Sequence, residues 1–283
     1  MEDSVVVVDV DVDVDGTKVR VEGPAEAPVL LMIHGWPDTG AIWRAQVARF
    51  RSTYRCGTFT FPGSDIDQPR TLASVEEFVA SLASIIDAVS PDEPVILLGH
   101  DWGSAFSSAY ASLAPERVRA VILLDVGDAN SPELQAECSR LQSLMGVSYR
   151  AVLAWAWRRG GRLGDAVTRL VARVLAPGSD QGLVFAGMNG PYEATRSAGA
   201  DLPVLGRDIL HPTLFVYGAN KPLAFHSTAW VERLGARADC AVHRFRTGHW
   251  LMLDAPDQLN RVIAEWLDEG GAGRKDQLEG QIS

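Results

Sequence analysis

The sequence predicts an α/β protein with a mostly parallel central sheet, helices on both faces and a helical insertion late in the chain. Three observations predict it. Short, wholly apolar runs such as "VLLMI" and "VILLG" lack the alternation of a half-exposed sheet, as expected of strands covered on both sides. They alternate with stretches of helical spacing, the order of βαβ units. From about residue 127 to residue 205 no apolar strand-like run appears, and the chain is rich in Trp and Arg instead.

The first element is a hairpin. "VVVVDVDVDV" and "TKVRVE" alternate at period two and flank Asp15-Gly16, a dipeptide suited to a tight turn. Valines are expected to face the core and acids the solvent. The same stretch, Asp11 to Glu22, also fits a calcium-binding loop, with acids at its first, third and fifth positions, Gly16 at the sixth and Glu22 at the twelfth. That loop needs a helix on either side. β-branched residues at period two give strands, so the hairpin is the expectation.

Val29–Ile33 is the first buried strand and ends at His-Gly. "AIWRAQVARF" has helical spacing, and "YRCGTFTFPG" is strand then turn. "SVEEFVASLASIIDAV" is an amphipathic helix with Ser74 as N-cap and Glu77 three residues on. "PVILLGHDWG" is a second buried strand, "SAFSSAYASLA" a small-residue helix and "RVRAVILLDV" a third strand. After the insertion, strands resume at "PTLFVYG" and "CAVHRFRTGH", and "PDQLNRVIAEWLDE" is the last helix. The boundaries read as a first core part over 1–128, a helical cap over 129–205, a second core part over 206–269 and a polar, Gly-rich tail over 270–283.

Composition narrows the function classes. A hydrophobic fraction of 47% over 283 residues supplies a sizeable core. The net charge of −10 argues against nucleic acid and against an acidic membrane surface. Cys56, Cys138 and Cys240 are odd in number and far apart, which suits free thiols in a reducing compartment. No basic leader precedes the first valines and no run reaches about 18 apolar residues, so a cytoplasmic location is the expectation. Nothing in the sequence calls for a metal or cofactor, and monomer and homodimer both stay open.

The chemistry centres on Gly99-His100-Asp101-Trp102-Gly103, which fits G-x-nucleophile-x-G at a strand-to-helix turn. Such an elbow presents its middle residue at the C-terminal end of the sheet, where ligands bind. The plainer role for Asp101 is a helix N-cap. As a nucleophile, a carboxylate attacking an ester would form only an anhydride. At saturated carbon it forms an ester that water can cleave, so Asp101 points to displacement at alkyl carbon.

With His34-Gly35-Trp36-Pro37 and Gly248-His249-Trp250, this elbow resembles the α/β-hydrolase superfamily, and within it the epoxide hydrolases and haloalkane dehalogenases. The likeness covers most of residues 3 to 268. It implies His249 as general base, and backbone N–H groups of Trp36 and Trp102 as the oxyanion hole. It places the orienting acid after "PTLFVYG", but Gly218-Ala219-Asn220-Lys221 has lysine there. Some relatives carry the acid after the preceding strand, which here gives Asp125, with Asp128 as the alternative. His34, Pro37, Trp155 and Trp250 are expected around the substrate pocket, with His34 and Pro37 holding the oxyanion loop.

Epoxide hydrolases of this kind protonate the leaving oxygen with cap tyrosines, and Tyr149 and Tyr192 are available. Trp36 after His-Gly resembles epoxide hydrolases more than dehalogenases, while Trp155 and Trp157 could serve a halide. The expected partner is therefore a small hydrophobic epoxide-type substrate. A dehalogenase, an epoxide-opening cyclase and a non-catalytic ligand binder are the other readings, the last prompted by Lys221.

Overall fold

The computed structural model describes residues 7–70, 73–198 and 209–271. Among these, eight strands form one sheet: β1 Val7–Val14, β2 Thr17–Pro24, β3 Val29–Ile33, β4 Arg55–Phe59, β5 Val95–His100, β6 Val118–Leu124, β7 Thr213–Gly218 and β8 Ala241–Phe245. Their order is β1-β2-β4-β3-β5-β6-β7-β8. The β1–β2 and β2–β4 pairs are antiparallel, and every other pair is parallel. The mostly parallel α/β architecture read from the sequence is what the chain adopts.

Helices accompany the sheet. Before the insertion come α1 Arg44–Phe50, α2 Val75–Val89 and α3 Trp102–Leu113. Between β6 and β7 lie α4 Pro132–Glu137, α5 Arg140–Arg159, α6 Gly161–Leu175 and α7 Gly190–Ala198. Later come α8 Thr228–Gly235, α9 Leu251–Asp254 and α10 Pro256–Trp266. Ser74 caps α2 in a capping box: its hydroxyl accepts from Glu77 N, and Glu77 accepts from Ser74 N at 2.7 Å. Such a cap contributes about 1 kcal/mol.

The wholly apolar strands are explained by the two faces they fill. Leu31, Ile33, Leu97 and Leu123 pack against α2, α3 and α8 through Leu82, Phe106 and Trp230. Their neighbours Leu30, Met32, Leu98 and Leu124 face the other way, onto Phe50 of α1 and Leu259 and Ile263 of α10. Each strand residue is thus buried on one side or the other, and burying a leucine contributes about 1.5–3 kcal/mol.

The opening hairpin forms as read, with Asp15 at φ +52° and Gly16 at φ +84°. Asp9 and Asp11 pair with Arg20 at 2.7 and 3.5 Å, and Glu22 takes Arg20 and Arg51. Ion pairs therefore engage the first and last acids of the calcium-like pattern, Asp11 across the hairpin and Glu22 along its own strand and with Arg51 at the end of α1. One valine departs from expectation: Val8, Val12 and Val14 pack on the core, but Val10 is exposed.

Within the insertion, α4 packs against α8, while α5 packs on α6 and α7. Leu153, Ala154, Ala172, Val184, Met188 and Tyr192 form an apolar cluster that includes Trp36 from the β3 loop. That cluster sets α5–α7 over the C-terminal end of the strands. At the end of the described chain Gly270 takes φ +86°, and Gly271 is buried against Trp266. Of the expected tail, 272–283 lie outside the described residues, as do 199–205 of the expected cap and 206–208 of the expected second core part.

Candidate active site

Asp101 sits between β5 and α3 at φ +52°, ψ −121°, a conformation that L residues rarely hold. The glycines around it permit this. A Cβ on Gly103 would lie 2.0 Å from the Ile33 carbonyl oxygen, and one on Gly99 would lie 2.5 Å from the Gly103 carbonyl oxygen. Asp101 makes no side-chain cap bond to its own helix. Its Oδ2 instead accepts the backbone N–H of Trp36 at 2.8 Å. The N-cap role is thus not the one this carboxylate plays.

His249 follows β8 and faces Asp101, with Nε2 3.7 Å from Asp101 Oδ1. Its Nδ1 bonds Asp125 Oδ2. Asp125, fully buried at the tip of β6 with φ +68°, also accepts Gly218 N–H at 2.8 Å through Oδ1. Asp128 is elsewhere: it accepts from Ser131 Oγ, Ser227 N and Ser227 Oγ, all at 2.7 Å, and ties the start of the insertion to the N-cap of α8. Geometry therefore joins Asp125, not Asp128, to the histidine.

Charges set the protonation states. Burial would lower the His249 pKa, but Asp125 and Asp101 on either side raise it to about 9. Burial resists ionisation of Asp101 and Asp125, and the bonds and charge of His249 outweigh it, so both carboxyls lie below their ordinary value. Lys221 forms an ion pair with Asp125 Oδ1, both side chains being nearly or fully buried. The lysine at the position where the resemblance placed an acid thus contacts Asp125.

Both tyrosines of the insertion reach the site. Tyr149 and Tyr192 line, with Asp101, Trp36, Trp250 and His249, a cavity of about 320 Å³. Their rings meet edge to face at 5.9 Å, and Tyr192 also packs on Trp36 and Trp102 at 5.8 and 5.5 Å. Burial raises both phenol pKa values, and the Asp101 charge adds to it, so both hydroxyls keep their protons.

Other expected pocket residues fall differently. Trp250 lines the cavity and donates its indole N–H to Asp38 at 2.8 Å. His34 and Pro37 do not line it. His34 is buried beneath the loop: its Nε2 accepts Phe61 N–H at 3.0 Å and its Nδ1 donates to the Gly35 carbonyl at 2.9 Å. Pro37 follows a cis peptide bond in the same loop. Trp155 is 43% exposed. It lies on the outer side of α5, because the inward side is taken by Leu153, Ala154 and Ala156. Trp157 packs under Arg70, 4.8 Å from its ring.

Several participants were not read from the sequence. His100 donates from Nε2 to the His249 carbonyl at 3.0 Å and packs 4.5 Å from its ring. Burial lowers its pKa to about 3, so it stays neutral. Asn189 accepts the Trp36 indole N–H at 2.8 Å and donates to Thr168, linking the loop after β3 to the insertion. Its place in "MNGPY", three residues before Tyr192, was the available signal. Phe225 packs 5.2 Å from the His249 ring and carried no motif.

A sequence model of the alpha/beta hydrolase fold matches residues 28–143. The chain has the α/β-hydrolase fold and resembles epoxide hydrolases. Human epoxide hydrolase 4 is 23% identical over 283 aligned residues, covering 87% of this chain and 74% of that protein. Epoxide hydrolase 3 of Xenopus tropicalis is 23% identical over 274, covering 87% and 73%. Among solved structures, an epoxide hydrolase from Bacillus megaterium, in complex with an inhibitor, superposes with a TM-score of 0.73. It is 17% identical, and the match covers 92% of this chain and all of that one.

Proposed function

We propose that the chain hydrolyses epoxides to vicinal diols through a covalent ester on Asp101. One observation carries this reading over halide displacement: two protonated phenols face the cavity, while its indole N–H groups are engaged elsewhere. The indole of Trp36 donates to Asn189 and that of Trp250 to Asp38, and Trp102 is not among the residues lining the cavity. Trp155 and Trp157 stand outside the cavity lining. A departing halide needs free N–H donors. A departing alkoxide needs a proton, which a phenol supplies.

In the first step Asp101 Oδ1 attacks a ring carbon, the C–O bond breaks, and Tyr149 or Tyr192 protonates the alkoxide. The nucleophile's charge is consumed in the ester. That loss removes one of the two anions holding His249 protonated, so its basicity falls when a base is needed. Neutral His249 then takes a proton from water, which attacks Asp101 Cγ. Negative charge develops on Oδ2, already held by the Trp36 N–H, with Trp102 N–H as the second donor of the hole. Collapse expels the diol, its oxygen taking the imidazolium proton; the Asp101 carboxylic acid left behind passes its proton to His249, and the proton His249 released to solvent before hydrolysis is balanced by the one solvent returns to the tyrosinate. Asp125 keeps the imidazole oriented.

The test is a His249→Gln variant incubated with styrene oxide. Mass spectrometry should find the intact substrate mass added to the peptide containing Asp101, while wild type should release diol. Bromide release from 1-bromobutane without diol formation from the epoxide would instead establish dehalogenation.

A further inference from the structure

We propose that the outer surface of α5 and α6 docks on an anionic lipid bilayer, bringing the cavity mouth to the membrane interface. The net charge of −10 speaks against such a surface only as a chain average. The charge is segregated. These two helices carry seven arginines against one acid, Asp165, a net +6 that leaves −16 on the remainder; Arg140, Arg158, Arg159, Arg162 and Arg173 are exposed, Arg158 beside Glu193 at 3.6 Å, while Arg150 turns inward to Asn130 and Arg169 bonds the Val184 carbonyl.

Apolar side chains accompany that charge. On α5, Leu141, Leu144, Met145, Val147, Val152 and Trp155 are 38–67% exposed. At 100° per residue all but Val147 share one stripe about 100° wide, and Val147 lies beside Arg140 and Arg158 on its flank. On α6, Leu163, Leu170 and Val174 are 47–73% exposed and form a second stripe, flanked by Arg162 and Arg173. Soluble surfaces carry scattered apolar residues, but concentrated patches mark contact surfaces. Two neighbouring helices with apolar stripes and basic flanks match helices that lie in a bilayer interface rather than span it. Among the described residues no helix is long and apolar enough to cross a membrane.

Position gives the surface a use. Val174, 73% exposed at the end of the α6 stripe, also lines the cavity beside Leu175 and Pro177. An apolar ligand dissolved in the bilayer would meet the cavity where the stripe ends. Charge selects lipid over a neutral apolar partner, because each basic residue near an anionic surface adds attraction that salt screens.

The experiment is flotation of the full chain with phosphatidylcholine vesicles containing about 30% phosphatidylglycerol, against phosphatidylcholine alone. The expected result is at least about tenfold stronger binding to the anionic vesicles, lost in about 0.5 M salt. A Leu144→Glu/Leu170→Glu variant should lose binding while keeping the wild-type melting temperature. A second variant, Arg162→Glu/Arg173→Glu, should lose the preference for anionic vesicles. Absence of flotation, or binding retained by the Leu-to-Glu variant, would overturn the proposal. So would a wild-type dimer in sedimentation that this variant turns into monomer, since the occupant would then be a second copy. No readout uses turnover, so the outcome is independent of the epoxide reading.

Discussion

Lys221 and His249 hold the two oxygens of one carboxylate: the ammonium pairs with Asp125 Oδ1 and the imidazole with Asp125 Oδ2. The lysine thus reaches this network from the loop after β7. Part of the Asp125 field is thereby spent on Lys221 rather than on stabilising the imidazolium.

Removing that cation should make His249 more basic. In Lys221→Met, Asp125 acts on His249 undiluted, and the neutral fraction of the imidazole at pH 7 falls. The rise of kcat with pH should move about one unit to the alkaline side, with about tenfold lower kcat at neutral pH, since one unit is a factor of ten. Lys221→Arg should restore the profile. Coincident profiles for the Lys221→Met variant and the wild type would show that the lysine only fills space.

The elements that could be read before the structure are those whose signal is local. Apolar runs, the capping box at Ser74 and the glycines around Asp101 each act over a few residues. Asp125 came from the resemblance, with Asp128 as its alternative, and only the folded chain shows which of the two meets His249. Trp155 was misplaced because the sequence of α5 bears apolar residues all round, so periodicity could not say which side faces the cavity. Asn189, Phe225 and the Lys221 ion pair depend on contacts between segments far apart in the chain, and no local pattern encodes those.

The two phenols should act as ring-opening acids. Tyr149→Phe and Tyr192→Phe remove a hydroxyl each while keeping the aromatic packing. A general acid contributes about 10²–10⁴-fold, so the double variant should lose that much in the rate of ester formation, with smaller losses in the singles. Pre-steady-state measurement of ester formation with styrene oxide checks this. Unchanged ester formation in the double variant would assign proton donation to another group.

Stability should peak near neutral pH, and His249 should make the alkaline side. Its folded pKa of about 9 lies above the unfolded value of 6.5, so its contribution is complete below pH 6.5 and is lost as pH rises through 9. His34, His100 and His226 act oppositely. Burial depresses them to about 4, 3 and 4, so they stay neutral in the fold and stability falls as pH drops below 6.5. Melting temperatures from pH 5 to pH 9 should therefore decline on both sides. His249→Gln should flatten the alkaline decline and leave the acid one. An alkaline decline that survives this variant would place its cause elsewhere.

Gly35→Ala should impair catalysis far more than folding. A Cβ at this position would stand 2.5 Å from Asp101 Cβ and 2.7 Å from both Asp101 Oδ2 and the His100 carbonyl oxygen. Relief requires the β3 loop to back away from the elbow, and that movement carries the Trp36 N–H off Asp101 Oδ2. Losing one oxyanion donor costs about 10²–10³ in kcat. The loss should fall on ester hydrolysis rather than formation, because the negative charge on Oδ2 must be held when water attacks. Ester should therefore accumulate in Gly35→Ala with wild-type His249 present, visible by mass spectrometry of the quenched reaction. Absence of accumulated ester, with formation slowed instead, would mean that the glycine serves the placement of the nucleophile and not the hole.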